Sequence, residues 1–357
     1  MSLETIGAIL LNIGLNFGIG LILALSINIE VGFANIPQFG RLIAALMGAI
    51  AAGGIASRIV AAILGFPYGV EYISNNSYIV THINMELSKN PLLSLIYLLL
   101  TLAIAAFLGG IIGYASAYPS LRLREAYLGI TLLSIGEILR GIAYNYSPIV
   151  GGSVGIMVPD PFRFLGVYRY TGAVIVILIF AAIVFFISER IARSPMGRTM
   201  KAVRDSELAA QVYGIDIVKI RTYALIIGGS IAAIAGALRV LSDAYIGVGG
   251  MQRYEWTFLP WAYIMLGGVG NNLGVVLGVL IFSTARSLIM VYKTNLVQIL
   301  PPYIDVSNLE YIFVGLTIIL ITMFRPRGIL PEKPTLALSR KDLENIREKI
   351  DSEKGST

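Results

Sequence analysis

Apolar runs long enough to cross a bilayer recur along the whole chain, separated by short polar stretches. A hydrocarbon core ~30 Å thick needs about 20 mostly apolar residues in a helix. Runs of that kind lie near 5–27, 43–65, 92–115, 126–144, 172–189, 222–246, 257–269, 273–292 and 309–324. The 257–269 run is short and ends in glycines, so it is the weakest crossing. None shows the strict alternation of a membrane β-strand. The pattern therefore predicts an all-α polytopic membrane helix bundle of about nine spans. It divides the chain into a transmembrane domain over 1–331 and a C-terminal tail over 332–357.

The basic residues give the bundle an orientation. Segments 28–42, 116–125, 190–221 and 325–357 hold 1, 2, 7 and 8 Lys and Arg, against 1, 2, 1 and 1 in 66–91, 145–171, 247–256 and 293–308. By the positive-inside rule the first set faces the cytoplasm. Nine crossings then place the C-terminus inside and the short N-terminus outside. If 257–269 does not cross, the N-terminus moves inside. Met1-Ser2-Leu3-Glu4 lacks the positive region of a signal peptide, so the first run reads as a retained span. In the tail, Ser339 and Asp342 suit the start of a short surface helix carrying Leu343, Ile346 and Ile350 on one side.

Composition agrees with a membrane location. Hydrophobic residues make up 56% and charged residues 13% of 357, with a mean hydropathy of +0.79; soluble domains carry about 25% charged residues. The net charge of +6 is concentrated on one side, so it reports topology rather than nucleic-acid binding. With no Cys and a single His82, thiol chemistry and a metal centre are not expected. No Walker A sequence is present, and no Gly-Lys dipeptide at all. The chain offers a route across a membrane without an engine of its own, and no catalytic residues are expected.

Three features could carry function. The first is the polar stretch 194–223. Pro195 suits a helix start, Gly197 permits an unusual backbone angle, and Gly214 suits a C-terminal stop. A helix over Arg198–Tyr213 would place Ala202, Ser206, Ala209 and Tyr213 in a narrow stripe of mostly small residues. Such a helix can seat in a groove on another protein or lie on anionic lipid; the residues alone leave both open. The second is Glu137 with Arg140, three apart on a span. They would sit beside a substrate route or form a structural ion pair near the interface. The third is a set of glycine-rich interruptions: Gly32 with Asn35; Gly151, Gly152 and Gly155; and Gly267, Gly268 and Gly270. Irregular backbone at membrane depth survives only where protein or water satisfies it, and broken segments often flank a transported substrate. Plain loops or tight crossings are the alternative. Gly14 and Gly18, Gly109 and Gly113, and Gly274 and Gly278 are each four apart, as close helix packing requires.

Glu207, Ala209, Ala210, Gly214 and Ile215 form a Glu-x-Ala-Ala-x-x-x-Gly-Ile pattern. It resembles the cytoplasmic coupling loop of ABC importer permeases. The stretches VGFANIPQFG (31–40), LRLREAYLGITLLSIGEILR (121–140), GGSVGI (151–156), MLGGVGNNLGVVLGVLIF (265–282) and FRPRGILP (324–331) follow in order. Together they resemble the permeases of branched-chain amino acid ABC transporters, in particular the larger of the two permease subunits. Asn35, Ile36, Pro37 and Val275 depart from that family's usual residues, and the 66–91 loop is longer.

The resemblance implies a multi-pass permease of the cell membrane. It would pair with a second permease subunit, two ABC ATPase subunits and an extracytoplasmic substrate-binding protein. ATP would act through the ATPases, and this chain would bind no cofactor. Arg198, Ala202, Glu207, Ala209, Ala210 and Gly214, in the coupling loop 190–221, would carry the ATPase coupling. Other cargo on the same architecture (urea, a short amide or a sugar), an autonomous secondary transporter, and a scaffolding protein are the competing readings.

Overall fold

The computed structural model describes residues 3–123, 125–292 and 308–332. The tail helix expected from Ser339 lies outside them. Seven helices among the described residues are long and apolar enough to cross a membrane. The first is α1 (Leu3–Ile27), prolonged by a π-helical turn over Asn28–Phe33. Next comes α2 (Arg41–Ile50), which runs through a second π-helical turn, Ala51–Ala56, into α3 (Ser57–Ile63) as one span. The others are α6 (Pro91–Arg122), α7 (Glu125–Asn145), α9 (Arg169–Arg193), α12 (Ile217–Asp243) and α14 (Asn272–Val291). A shorter apolar helix, α15 (Leu309–Phe324), covers the last run.

The 257–269 run behaves differently. A π-helical turn, Tyr254–Phe258, leads into a nine-residue helix, α13 (Leu259–Gly267). At ~1.5 Å per residue these are too short for a ~30 Å core. The rest of the crossing is irregular. Chain leaves α12 at Ala244, which is left-handed, and forms β2 (Tyr245–Ile246) before a glycine-containing turn at Val248–Gly250. The segment from Ala244 to Gly268 still carries the chain from one face to the other, so α1 and α15 end on the same face.

Side-chain and backbone ties identify the two faces. On one, Arg204 binds the Gly32 carbonyl at 2.5 Å and the Glu332 carboxylate at 2.6 Å, while the Leu330 amide donates to the Gly267 carbonyl. Leu121, Arg122, Leu123, Ala126, Tyr127 and Leu128 line a hollow with Glu207 and Arg221 there too. On the other, Asn76 brackets the backbone of Met157, and Asn84 accepts from the Asp160 amide. β1 (Ile156–Met157) pairs antiparallel with β2 there, Ile156 opposite Ile246. Among the described residues, those of the base-rich segments 28–42, 116–125, 190–221 and 325–332 thus share one face, and those of 66–91 and 145–171 share the other.

The long 66–91 stretch forms α4 (Val70–Ser74) and α5 (Asn76–Lys89) on the base-poor face. Burial pushes the Tyr72 phenol up to about 12, with Ser57 and Arg58 pulling the other way.

The core is built on close helix contacts. A Cβ on Gly113 would sit 2.1 Å from the Leu225 carbonyl oxygen, and one on Gly109 2.4 Å from that of Gly229, so α6 and α12 pack backbone to backbone. Gly18 brings α1 onto Ile177 of α9, and Gly278 brings α14 onto the Tyr263 carbonyl of α13. The three glycine spacings in the sequence mark real crossings. Such close approach is what drives association where lipid tails are as apolar as Leu. The outer sides of α6, α7 and α9 remain apolar and exposed, as at Phe107, Ile130, Ile138, Ile179 and Phe186.

Candidate functional site

The polar arm on the base-rich face is two helices, not one. Ser194 caps α10 (Pro195–Asp205) by accepting from the Gly197 amide at 3.1 Å. Ser206 is extended and caps α11 (Glu207–Val212) by accepting from the Ala209 amide at 3.2 Å. A Ser able to cap a following helix offers the backbone an alternative to continuing the first one, so the expected Arg198–Tyr213 helix breaks there. Gly197 is helical, and it is needed for a different reason. Its Cβ would lie 2.1 Å from the Ile191 carbonyl oxygen, where α10 folds back on α9. Gly214 adopts φ +77° and ends the arm as expected. Asp216 then caps α12; the Lys219 amide holds its carboxyl below the ordinary range.

The break divides the expected stripe between two helices and their ends. Ala202, Ser206, Ala209 and Tyr213 are all exposed, while Ala210, outside the stripe, is buried against Val203 and Ile217. Large apolar side chains are exposed as well: Leu208, Val212 and Tyr213 are 75%, 81% and 85% exposed. Glu207 pairs with Arg221 at the start of α12, whereas Arg198 is exposed and reaches the Arg193 carbonyl.

Beneath the arm lies a network that the sequence did not disclose. Glu332 receives Lys201 at 2.7 Å and Arg204 at 2.6 Å, both from α10. Burial pulls the Arg204 guanidinium down, but Glu332 and Asp205 outweigh it and raise it above its usual value. Arg204 also holds Gly32 in the π turn after α1. From there Asn28 accepts from the Gly270 amide at 2.8 Å and donates to Asn272 at 2.9 Å, and Asn272 donates to Glu189. One step deeper, Glu30 and Arg41 form an ion pair with both side chains at most 1% exposed. They are the only charged residues between Thr5 and Ser57, a signal visible in the sequence but hidden by reading 28–42 as a loop.

The glycine stretches separate into two groups. Gly32 and Gly270 touch at the base-rich face; a Cβ on Gly32 would lie 2.8 Å from the Gly270 nitrogen. Gly267 and Gly268 meet Gly274 and the Leu330 carbonyl there, with Gly268 at φ +123°. Asn35 is nearby, exposed at φ +50°, in the hollow beside Glu207. Gly151, Gly152 and Gly155 instead lie at the base-poor face, where they turn the chain into β1 and Gly155 abuts the Ile246 carbonyl. Between the faces stands Glu137. Arg140 binds its Oε2 through two nitrogens at 2.9 and 3.1 Å, and Arg253, from the irregular crossing, binds Oε1 at 2.9 Å. This triplet lies about midway along α7 and is partly exposed.

A family model described as a branched-chain amino acid transport system permease component matches residues 9–322. The chain belongs to that permease family. A protein of Methanocaldococcus jannaschii named as a probable branched-chain amino acid transport permease protein LivM is 38% identical over 338 residues, 94% of this chain and 96% of its own length. The high-affinity branched-chain amino acid transport system permease proteins LivM of Salmonella typhimurium and Escherichia coli are each 27% identical over 263 residues, 66% of this chain and 58% of theirs. No solved structure matches. This permease is accordingly a multi-pass membrane component of a transport system.

Proposed function

We propose that this permease is the transmembrane subunit of an ABC importer that moves branched-chain amino acids inward by ATP-driven alternating access. It sits in the cell membrane with its base-rich face and C-terminus in the cytoplasm. The observation that carries the reading is the α10–α11 arm. It presents Leu208, Val212 and Tyr213 to solvent on the face that holds most of the basic residues. It is also joined to the bundle through Arg204, Lys201 and Glu207. Exposed apolar side chains on such a short helix suit a groove on a cytoplasmic ATPase better than bulk water. The charged triplet Glu137–Arg140–Arg253 favours a water-accessible route along α7, because partly exposed charge at membrane depth is costly against lipid. A second permease subunit would close that route, and a binding protein would deliver cargo at the base-poor face. The chain itself would make and break no covalent bond, and ATP would be hydrolysed by its partners.

The test is a mild-detergent purification of the tagged chain from its own membranes. Recovery of a P-loop ATPase with the wild type, and its loss with Leu208→Glu and Val212→Glu at normal expression, is the expected result. Recovery of the chain alone in several detergents would refute the ABC reading. Competition of uptake by leucine, isoleucine and valine but not urea tests the cargo.

A further inference from the structure

A cavity of about 340 Å³ lies inside this one subunit, between α1, α12, α14 and the irregular crossing 244–263. Among the described residues, four charged side chains line it: Arg239 and Asp243 at the end of α12, Glu255, and Arg286 of α14. They form two ion pairs, Arg239–Asp243 at 2.8 Å and Arg286–Glu255 at 2.5 Å. Each of the four side chains is 28–43% exposed. Arg286 lies within an apolar span and Arg239 about one turn from the end of α12; such groups turn to water or to an opposite charge rather than to lipid tails. Ile19, Leu23, Val240, Trp256 and Leu259 add an apolar wall, with Asn16, Tyr245 and Tyr263 beside it.

The lining therefore has no net charge but offers a carboxylate and a guanidinium at two places. An anion or a cation gains little from such a wall, because attraction to one member of a pair is offset by repulsion from the other. A ligand carrying both charges a few ångströms apart can engage both members. The aliphatic wall then suits a short branched side chain, and the volume is near the lower end for ligand pockets. We infer that this cavity is a binding site for a small zwitterion with an aliphatic side chain, held within a single permease chain on the base-poor side. It is separate from the α7 triplet and adds a second site to the transport reading. Only the choice of leucine as probe rests on that reading.

The test uses the full chain with the membrane partners that purify with it, freed of soluble binding protein, in phosphatidylglycerol nanodiscs. Equilibrium binding of radiolabelled leucine is measured for wild type, Asp243→Asn, Glu255→Gln and Lys89→Gln. Saturable binding is expected, weakened at least tenfold by the first two changes and unmoved by Lys89→Gln on the same face. Leucinamide and N-acetylleucine, each lacking one charge, should compete at least tenfold less well than leucine. Val240→Phe, which fills the cavity from its apolar side, replaces either charge variant that fails to fold and should weaken binding similarly.

Absence of saturable binding, or binding equal in wild type and cavity variants, overturns the site whether or not uptake occurs. So does selective retention of phosphatidylethanolamine by the wild type with leucine excluded, which would make a lipid headgroup the occupant. Binding of the expected kind in a complex that takes up no leucine supports the site and counts against the transport reading alone.

Discussion

Glu30→Gln is expected to be among the most destabilising single changes in this permease. Glu30 and Arg41 are paired with side chains at most 1% exposed, and a Cβ added at Gly228 would already lie 2.0 Å from Glu30 Oε1. Among the described residues, no other carboxylate pairs with Arg41. Arginine does not shed its proton in proteins, so the Gln variant leaves a buried guanidinium without its countercharge. Breaking a buried pair from one side costs ~3–5 kcal/mol. Gln keeps one neutral hydrogen bond, which places the expected loss at the lower end, ~3 kcal/mol, or roughly a hundredfold in the folded-to-unfolded ratio. Removing both charges in Glu30→Gln/Arg41→Met should return the protein to within ~1 kcal/mol of wild type, since uncharged replacements of buried pairs are often neutral. Unfolding in mixed dodecyl maltoside and SDS micelles can be followed by tryptophan fluorescence. Both tryptophans lie close by: Trp261 stacks on Phe39 and donates to the Gln38 carbonyl, and Trp256 adjoins Thr257, whose hydroxyl faces the Leu42 amide. A Glu30→Gln variant within ~1 kcal/mol of wild type, or a double variant no better than the single, would refute the reasoning.

Other predictions follow from the same structure. Arg204→Gln and Glu332→Gln should show a double-mutant coupling of ~1 kcal/mol in thermal melts, limited because Lys201 keeps hold of Glu332; simple additivity would mean the latch carries no energy. Gly113→Leu should cost ~2–3 kcal/mol or more, because its side chain would meet the Leu225 backbone rather than a movable side chain. Gly141→Ala, on the open side of α7 with nothing within 4 Å, should be neutral or stabilising by up to ~1 kcal/mol. Melting temperatures in one detergent check this pair, and equal losses at both positions would contradict the packing. Glu137→Gln should lower uptake with little loss of stability, since Arg140 and Arg253 are partly exposed; unchanged uptake at normal expression would argue against a route along α7.

The bundle was readable in the sequence wherever a single physical demand acted on a whole segment. Seven runs are long helices because length and hydropathy leave no other way to satisfy the backbone in lipid. The glycine spacings located crossings because close approach forbids a Cβ there. Pairwise facts were not readable. Glu207 meets Arg221, fourteen residues on, and Arg204 meets Glu332, 128 residues on; no local spacing encodes either. Glu137 with Arg140 was expected from a three-residue spacing, yet its second partner, Arg253, comes from a crossing whose irregular path no periodicity marks. The arm was expected as one helix because its residues favour helix. A single Ser206 overrode that sum by capping a new start.

The segment 28–42 shows why the hidden part matters. Read as a loop, it supplied one basic residue to a topology count. In the structure it is a π turn followed by a tight return, and π turns often occur at functional positions because they leave the regular hydrogen-bond ladder. That turn is gripped at three points: by Arg204 from the arm at Gly32, by Arg41 from α2 at Glu30, and by Asn272 and the Gly270 amide at Asn28. The arm is thus bonded directly to the end of α1, not only to its own flanking spans. The C-terminal stretch is tied to the same point through Glu332 and through the Leu330 amide on Gly267. A displacement of α10 must therefore either break the Arg204 contacts or carry the ends of α1 and α13 with it. On the proposed ATP-driven reading, the first outcome predicts that loosening Arg204 leaves ATP turnover running while transport falls; the second predicts that both fall together only when the π turn itself is altered.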